Sequence, residues 1–472
     1  MEIVSRERAA ALIRSGATII PGGFGSCGHP DELTQAIEKR FLETGHPRDL
    51  GLLFASGAGE SCSEGLNRFS HDGMVSFAVG GYWGLCPKLT GKVLEGKIEG
   101  HNWPQGVVSK LFTEIASGSP GVLTRIGLGT FVDPRLEGGV IYEGESLVSL
   151  RELDGKEYLM YPSLSVDFAL LRGTRADRMG NIDMGGEAAF HDACAQAMAV
   201  RKCGGKVIVQ VESIAAQGIL PRDVRIPGFL VDYIVVEGEG RHYPSYGHLG
   251  MQELMPEPEL HDLIIAERAS REVPVHGVVN FGIGIPALIS RFINDPGAMS
   301  TTIESGAIGG TPWHGQSFGY ADSPTAIMEQ SALFTFYDGG GIDTAFLGFA
   351  EIDRSGCVNA SRFGSRLTGA GGFINITQTA RKIVFCGTSS TGGLRVEKDG
   401  EEIRILEEGR IRKFVDEVRQ VTYDRKRTEA SNVQEVLIIT ERAVFELVKD
   451  GRIIVREIYP GCTMGDLQNI FG

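Results

Sequence analysis

The residue pattern of greatest chemical interest is a glutamate between an apolar stretch and a run of glycines. The segment reads Ile303-Glu304-Ser305-Gly306-Ala307-Ile308-Gly309-Gly310. A carboxylate that follows a predicted strand in this way is poorly solvated, and the glycines beside it keep it accessible. An ionised carboxylate can attack a carbonyl carbon without a partner base. Taken alone, the octapeptide is also compatible with an ordinary acid in a surface turn.

Two further glycine turns favour the chemical interpretation. Gly282-x-Gly284 precedes the glutamate in the chain, and Gly339-Gly340-Gly341 follows it. In open α/β sheets, ligands bind beyond the carboxyl ends of the strands, where glycine turns let them approach the backbone. We therefore expect Glu304 and both turns to meet at one edge of one sheet.

A third glycine cluster, at 23–28, has the spacing of a dinucleotide-binding turn and follows the predicted strand ATII. Its context does not fit that function, because Pro30 follows at once and the next predicted strand ends in Ser56 instead of a ribose-binding acid. Two interpretations stay open for Gly23, Phe24 and Gly25. They form either a tight turn that lines a substrate site or a turn with a purely structural role.

The elements that must position these residues repeat along the chain. Segments 166–171, 177–180 and 206–209 resemble segments 342–347, 353–356 and 382–385 at a constant offset of 176 residues (343 − 167). Short β-branched runs alternate with helical patterns, which indicates sheets covered by helices. The fold class is therefore α/β, with two related open α/β domains and largely parallel sheets. We predict domains at 1–241 and 261–472 and a linker at 242–260.

The composition excludes several classes of protein. A formal net charge of −14 disfavours nucleic-acid binding. No apolar run approaches the roughly 18 residues of a membrane helix, and the charged first residues are unlike a signal peptide, so we expect a cytoplasmic protein without membrane contact. The eight cysteines form no C-x-x-C pair, which argues against zinc and against a disulfide framework.

Several motifs together resemble the family I CoA-transferases over nearly the whole chain. The glycine segments GGFGSCG, ESGAIGG and DGGGID carry this resemblance. The sequence is most similar to the single-chain acetate or propionate branch, which also shows NxPQG, GLGTFVDP, GGFINI and a closing ITERAVF segment. All four appear here, at 102–106, 127–134, 371–376 and 439–445. The resemblance implies the family I CoA-transferase fold.

The resemblance also implies catalytic roles. Glu304 occupies the position of the family's nucleophile, which would attack an acyl-CoA thioester and carry CoA as a glutamyl thioester with ping-pong kinetics. Gln105 is a candidate donor to the oxyanion, and the backbone amides of Gly387 or Gly392 could complete that hole. An ordinary polar loop residue is the alternative for Gln105.

The remaining candidate residues concern binding. Gly282, Ile283, Gly284 and Pro286 match the turn that the family lays along the pantetheine and pyrophosphate of CoA, and we add Gly339, Gly340 and Gly341. The predicted substrate pocket contains Gly23, Phe24 and Gly25. Trp313 and His314 replace a short glycine-containing stretch of that branch, and we expect their bulk to reshape the acyl pocket.

The implied reaction is CoA transfer between a short-chain acyl-CoA and a carboxylic acid such as acetate. CoA is then a substrate, and we expect no metal and no other cofactor. The expected partners are acyl-CoA, small carboxylic acids and copies of the same chain in a dimer or tetramer. An acyl-CoA hydrolase on the same scaffold is the alternative enzyme. A non-catalytic CoA-binding protein conflicts with the retained Glu304, and a dinucleotide-dependent oxidoreductase conflicts with the context of the first glycine cluster.

Overall fold

The computed structural model describes residues 1–237, 245, 257–293, 299–313, 317–428, 434–468 and 470. The predicted linker, 242–260, lies mostly outside these residues, and the domain bounds stay predictions. The helices are α1 (Arg6–Leu12), α2 (Asp31–Thr44), α3 (Pro87–Leu94), α4 (Gln105–Ser117), α5 (Ala193–Lys202), α6 (Leu260–Ser270), α7 (Ile285–Leu288), α8 (Gln330–Asp338), α9 (Phe373–Thr379) and α10 (Met464–Gln468), with 3-10 turns at Gly65–Phe69, Gly228–Leu230 and Ile289–Phe292.

The strands of the first half are β1 (Glu2–Ile3), β2 (Thr18–Pro21), β3 (Leu50–Ser56), β4 (Val75–Tyr82), β5 (Glu99–Asn102), β6 (Gly121–Thr124), β7 (Ser149–Leu153), β8 (Lys156–Pro162), β9 (Phe168–Ala176), β10 (Ile182–Asp183), β11 (Lys206–Ile214), β12 (Val224–Ile226) and β13 (Tyr233–Val236). Its main sheet has the order β1-β13-β11-β9-β2-β3-β4-β5, with all neighbours parallel. A separate sheet, β6-β8-β7, follows α4 in the chain.

The strands of the second half are β14 (Gly277–Phe281), β15 (Met299–Thr302), β16 (Ala307–Ile308), β17 (Thr311–Pro312), β18 (Ala321–Asp322), β19 (Ala326–Ile327), β20 (Thr344–Leu347), β21 (Glu351–Asp353), β22 (Cys357–Asn359), β23 (Arg362–Phe363), β24 (Arg366–Leu367), β25 (Lys382–Cys386), β26 (Ser390–Thr391), β27 (Arg395–Asp399), β28 (Glu402–Glu407), β29 (Ile411–Arg412), β30 (Phe414–Val415), β31 (Tyr423–Asp424), β32 (Glu435–Ile439), β33 (Ala443–Leu447) and β34 (Ile453–Ile458). The order of the main sheet is β19-β16-β15-β14-β20-β25-β32-β33-β34. The neighbouring strands from β15 through β14, β20 and β25 to β32 are parallel. At both edges of the sheet the added strands are antiparallel to their neighbours.

The two main sheets repeat each other in strand order and register. The order β13-β11-β9-β2-β3 in the first sheet corresponds to β32-β25-β20-β14-β15 in the second. Phe168 pairs with Lys206 in the first sheet, and Thr344 pairs with Lys382 in the second. Both residues of the second pair lie 176 positions after those of the first (344 − 168 and 382 − 206). The predicted repeat of two α/β units is confirmed.

An aspartate before the central strand has the same role in both units. Asp167 Oδ2 accepts a hydrogen bond of 2.8 Å from the Thr18 amide, and Asp343 Oδ2 accepts one of 2.9 Å from the Val278 amide. Each bond ties the start of one parallel strand to the start of its neighbour. The repeat therefore extends to side-chain contacts that fix the strand register.

Apolar side chains cover both faces of each sheet. In β9, Phe168 and Leu170 belong to one core and Ala169 and Leu171 to the other, because successive side chains of a strand point to opposite faces. The second sheet likewise lies between two apolar cores. Near-continuous apolar runs are typical of parallel strands that are covered by helices on both sides.

Helix α4 of the first half packs against α8 of the second and brings the two sheets' carboxyl edges together. The Gly106 amide donates to Asn375 Oδ1 at 3.1 Å. A Cβ atom at Gly106 would lie 2.4 Å from the Phe334 ring, so glycine is needed for this close approach. The start of α4 is thus fixed against the second half, which determines where Gln105 lies.

Candidate active site

A cavity of about 400 Å³ lies between the two halves at the carboxyl edges of their main sheets. The residues that line it come from both halves and are mostly apolar. They are Phe24, Ser56, Tyr82, Gln105, Phe281, Gly282, Ile283, Ile285, Glu304, Phe318, Leu347, Gly348, Phe349, Ala360, Phe363, Thr368, Gly369, Ala370, Gly371, Gly372, Phe373, Ile376, Cys386, Gly387 and Lys413.

Glu304 enters this cavity from the turn that follows β15. The turn closes through a bond from the Gly306 amide to the Ile303 carbonyl, at 2.9 Å. Gly306 has a φ of +114°, and a Cβ atom there would lie 2.1 Å from the Met328 carbonyl oxygen, so only glycine fits. The glycine after the glutamate therefore sets the turn that exposes the carboxylate to the cavity.

The surroundings of the Glu304 carboxyl group disfavour its charge. Burial raises its pKa above the ordinary value for glutamate, and a hydrogen bond from Asn280 opposes this shift. Asn280 Nδ2 lies 3.4 Å from Glu304 Oε1 and also donates to the Thr302 carbonyl at 3.2 Å. A carboxylate that is buried and weakly solvated in this way is suited to nucleophilic attack.

Gln105 is the first residue of α4 and lines the same cavity. Its amide donates to the Gly371 carbonyl at 2.9 Å, which fixes the backbone. Its Nε2 atom is buried and has no hydrogen-bond partner among the described residues. Since a buried donor without a partner is costly, the arrangement is suited to a ligand oxygen.

Gly371 and Gly372 are site residues that the sequence reasoning missed. A Cβ atom at Gly372 would lie 3.1 Å from Glu304 Cγ, and one at Gly371 would lie 3.7 Å from Gln105 Oε1. Among the described residues, no backbone carbonyl accepts a hydrogen bond from the Gly372 amide. Both glycines belong to the motif GGFINI, but no local pattern indicates that Gly372 lies against the glutamate.

Gly387 and Gly392, the two glycines predicted to complete the oxyanion hole, differ in where they lie relative to the cavity. Gly387 lines the cavity, but its amide already donates to the Ile439 carbonyl at 3.2 Å. Gly392 does not line it, and its nearest outside neighbour is the side chain of Arg410. Among the described residues, the Gly387 amide is therefore already paired, and Gly392 lies outside the cavity.

The predicted CoA-binding turn lies at the end of β14. Gly282 and Ile283 line the cavity, and the Ile283 side chain is 51% exposed, which leaves an apolar surface at the opening. Gly284 has a φ of +82° and open space at its Cβ position, and it caps α7, where Pro286 stands in the first turn. The turn therefore lies beside the cavity as expected.

The expectation that Gly339, Gly340 and Gly341 meet Glu304 is wrong. These residues connect the end of α8 to the beginning of β20, whereas the cavity lies at the ends of the parallel strands. A Cβ atom at Gly341 would enter the ring of Phe336, at 2.4 Å. The glycines thus serve the close turn from helix to strand at the opposite edge of the sheet.

The first glycine cluster reaches the cavity through one side chain. Phe24 lines it, while a Cβ atom at Gly23 would collide with the Cys27 carbonyl and one at Gly25 would lie 3.0 Å from the Phe318 carbonyl. The Gly25 amide donates to Ser56 Oγ at 3.2 Å. Gly23 and Gly25 form the turn that presents Phe24, so they contribute to the pocket through their backbone.

The segment after the Glu304 turn contributes a different aromatic residue to the cavity from the one predicted. The Trp313 indole packs on Tyr320 and donates to Asp322 Oδ2 at 2.6 Å, and among the described residues it does not line the cavity. Phe318 lines it instead, with its ring centroid 5.6 Å from that of Phe24. His314 lies outside the described residues.

Within the described ranges, the protein lacks two kinds of feature. No group of three or more His, Cys, Asp or Glu side chains is placed to hold a metal ion. No described helix is long and apolar enough to cross a membrane.

Comparison with known proteins gives a consistent result. The coenzyme A transferase family matches residues 4–237. Caffeate CoA-transferase from Acetobacterium woodii is 40% identical over 490 residues, covering 99% of this chain and 92% of that protein. Acetate CoA-transferase YdiF from Escherichia coli K12 is 35% identical over 483 residues, covering 99% of this chain and 90% of that protein.

Solved structures agree with the sequence comparison. The acyl-CoA transferase YdiF apoenzyme from Escherichia coli O157:H7 superposes with a TM-score of 0.92 at 34% identity, covering 98% of this chain and 91% of that one. Its thioester complex with CoA gives the same TM-score at 33% identity, covering 99% and 92%. The fold and the sequence thus define a CoA-transferase that carries both halves in one chain. The protein belongs to the coenzyme A transferase family.

Proposed function

We propose that this protein transfers CoA between a short-chain acyl-CoA and a carboxylic acid such as acetate, through a CoA thioester on Glu304. The main observation that supports the proposal is the position of the Glu304 carboxylate. It lies in an apolar cavity beside Gln105, whose Nε2 atom has no hydrogen-bond partner among the described residues. A relative of 33% identity, solved as a thioester complex with CoA, supports the same chemistry.

The reaction balances without a metal or a second cofactor. The Glu304 carboxylate attacks the thioester carbonyl, and collapse of the tetrahedral intermediate breaks the C–S bond and releases CoA thiolate. The thiolate then attacks the glutamyl carbonyl of the resulting anhydride and releases the first acid as its carboxylate. The glutamyl-CoA thioester remains. The incoming carboxylate repeats these steps in reverse and leaves as the new acyl-CoA.

Gln105 and Gly372 are the proposed donors to the oxyanion. The Gln105 Nε2 group is buried beside the cavity, and the Gly372 residue contacts the Glu304 side chain. Fixed donors stabilise the charge that develops on the carbonyl oxygen most strongly where water is excluded. The other glycines proposed from the sequence are not needed for this role.

The proposed CoA path runs from Glu304 along the turn at Gly282–Pro286. Pantetheine carries two amides and an apolar chain, and the exposed Ile283 beside the cavity offers apolar contact to it. Remote contacts of this kind lower the activation barrier when they tighten in the transition state. A cytoplasmic location and a homo-oligomeric state stay predictions.

An aromatic acid is a second candidate acceptor, because the cavity wall itself is aromatic. Seven of its lining residues are Phe24, Tyr82, Phe281, Phe318, Phe349, Phe363 and Phe373. Aromatic rings bind other rings through large contact areas and offset stacking. The relative from Acetobacterium woodii, a caffeate CoA-transferase, is consistent with this possibility.

A panel of donors and acceptors tests the proposal. Acetyl-, propionyl- and butyryl-CoA are each incubated with acetate, propionate or caffeate, and the new acyl-CoA is measured by chromatography. The proposal is supported if a new acyl-CoA forms only when an acid is present. The kcat/KM values of the different acids then identify the preferred acceptor. Release of free CoA at the same rate without any acid would instead identify the hydrolase.

A further inference from the structure

Lys413 is a charged residue of the cavity wall, and the reaction described above assigns it no role. Among the described residues that line the cavity, Glu304 and Lys413 carry the charges, and the two have opposite signs. The Lys413 Nζ atom lies 5.2 Å from the centroid of the Phe349 ring and 3.4 Å from the Phe349 carbonyl oxygen. An ammonium group in such surroundings is poorly solvated.

The backbone holds Lys413 in place from two sides. Its amide donates to the Ser389 carbonyl at 3.0 Å, and its own carbonyl accepts from the Ile352 amide at 2.8 Å. The side chain therefore starts from a fixed point beside the turn that follows β25. Burial among these groups lowers the pKa of Lys413 below the ordinary value for lysine.

No carboxylate lies within ion-pair distance of Lys413 in the described part of the chain. Glu441 is the acid whose charge raises the pKa of Lys413 most, and it already accepts hydrogen bonds from the Ser389 amide and hydroxyl, at 2.8 and 2.5 Å. It also accepts one of 2.7 Å from Arg442 Nε. The Glu441 carboxylate is thus already hydrogen-bonded to Ser389 and Arg442. N–H groups of the Lys413 ammonium therefore remain available to bind an anionic ligand.

The strand order gives the separation between Lys413 and the nucleophile. Glu304 follows β15, whereas the Lys413 ammonium lies beside Phe349, which follows β20, and beside the turn after β25. Two to three strand spacings, about 10 to 14 Å, separate these positions. The arm of CoA from its sulfur to its pyrophosphate is about 16 Å long when extended. A slightly bent arm that starts from a thioester on Glu304 therefore brings the pyrophosphate to Lys413.

We propose that Lys413 binds the pyrophosphate of CoA and so aligns the CoA arm along the carboxyl ends of β14, β20 and β25. This inference rests on the proposed CoA thioester at Glu304. The ammonium supplies a charge-assisted hydrogen bond to an anion that must leave water to enter the cavity. Because that contact is remote from the reacting carbonyl, it can assist turnover as well as binding.

Three acyl-thioester donors of decreasing charge test whether Lys413 contacts the pyrophosphate. Each is assayed with the wild-type protein and with Lys413→Met. They are butyryl-CoA, butyryl-3′-dephospho-CoA, which keeps the pyrophosphate, and butyryl-pantetheine, which lacks every phosphate. The variant should lose about 10- to 100-fold in kcat/KM with the first two donors, the loss expected for one hydrogen bond to a charged group. With butyryl-pantetheine it should match the wild type. Lys413→Arg should recover part of the loss, because it restores a cation.

The pattern of losses decides the outcome. An equal loss with all three donors would overturn the inference and assign Lys413 a structural role or a contact with the pantetheine amides. Normal activity of Lys413→Met towards the dephospho-donor would also overturn it and assign the 3′-phosphate. Lys398→Met is the matched control, since Lys398 pairs with Glu267 and does not line the cavity. The CoA adduct of the wild type, measured by mass spectrometry, tests the proposed function independently.

Discussion

Glu304 and Gly372 are in such close contact that a methyl group on the glycine would lie 3.1 Å from the Cγ atom of the glutamate. The two residues come from different turns of the second half, one after β15 and the other at the start of α9. The contact limits the rotamers of the carboxylate.

Gly372→Ala should therefore slow formation of the glutamyl thioester without unfolding the protein. The φ angle of Gly372 is −80°, which alanine adopts without strain, so the added methyl group acts only through its contacts with Glu304 and the Phe334 ring. A displacement of a reacting group by less than 1 Å costs about 10- to 100-fold in rate. Stopped-flow or quenched-flow measurement of the first half-reaction gives this rate.

Gly185→Ala provides the control for that substitution. A Cβ atom at Gly185 has nothing within 4 Å, and the residue does not line the cavity. Equal half-reaction rates in Gly372→Ala and the wild type would contradict the close-contact account.

The sequence identified some residues of the site correctly and misplaced others. Glu304 and Gln105 could be found because each occurs in a distinctive local motif, and the structure brings both to one cavity. The repeat at an offset of 176 residues predicted two related α/β units, and the two main sheets have corresponding strand orders. Gly339 to Gly341 were misplaced because glycine runs also serve turns at the amino ends of strands, and a linear sequence does not distinguish the two edges.

Gly372 and Phe318 could not be identified as site residues from the sequence, because their roles depend on contacts across the fold. Gly372 reaches Glu304 only after α9 packs beside α8. Phe318 reaches Phe24 only when the second half lies against the first glycine cluster. Local sequence patterns carry no information about such contacts between residues that are distant in the chain.

Gln105→Met should lower turnover by about 100- to 1,000-fold, because it removes one donor to the oxyanion and keeps a side chain of similar size. Butyryl-CoA and acetate in a steady-state assay give the value. Gln35→Met is a suitable control, since Gln35 lies on α2 and does not line the cavity. Near-normal turnover of Gln105→Met would exclude the proposed donor role.

The rate of the first half-reaction should fall as the pH is lowered through the raised pKa of Glu304, since only the ionised carboxylate attacks. Burial favours the neutral form, so this acidic limb should lie above the ordinary range for glutamate. Asn280→Ala removes the hydrogen bond that favours the charge and should shift the limb to higher pH.

The Asn280 variant also distinguishes Glu304 from other acids that titrate in this range. Burial raises the pKa of Asp192 to about 7 and that of Glu329 to about 8. An acidic limb that does not move in Asn280→Ala would assign the pH dependence to one of these groups instead of the nucleophile.

Phe318→Ala should broaden the range of acids, and Trp313→Ala should not. Phe318 lines the cavity against Phe24, whereas the Trp313 indole packs on Tyr320. Removing one ring from a binding pocket changes discrimination by about 10- to 200-fold. The ratio of kcat/KM for hexanoate to that for acetate measures the change. A larger effect in Trp313→Ala than in Phe318→Ala would restore the interpretation made from the sequence.

The central claim is that Glu304 carries CoA as a covalent thioester, and intact-protein mass spectrometry after incubation with acyl-CoA alone tests it most directly. Wild-type protein should gain the mass of CoA less one water, and the adduct should map to the peptide that contains Glu304. Borohydride, which reduces a thioester but not a free carboxylate, should inactivate only the treated enzyme. Glu304→Ala should show no adduct. A CoA adduct that persists in Glu304→Ala, or its absence from wild-type protein that turns over, would contradict the account.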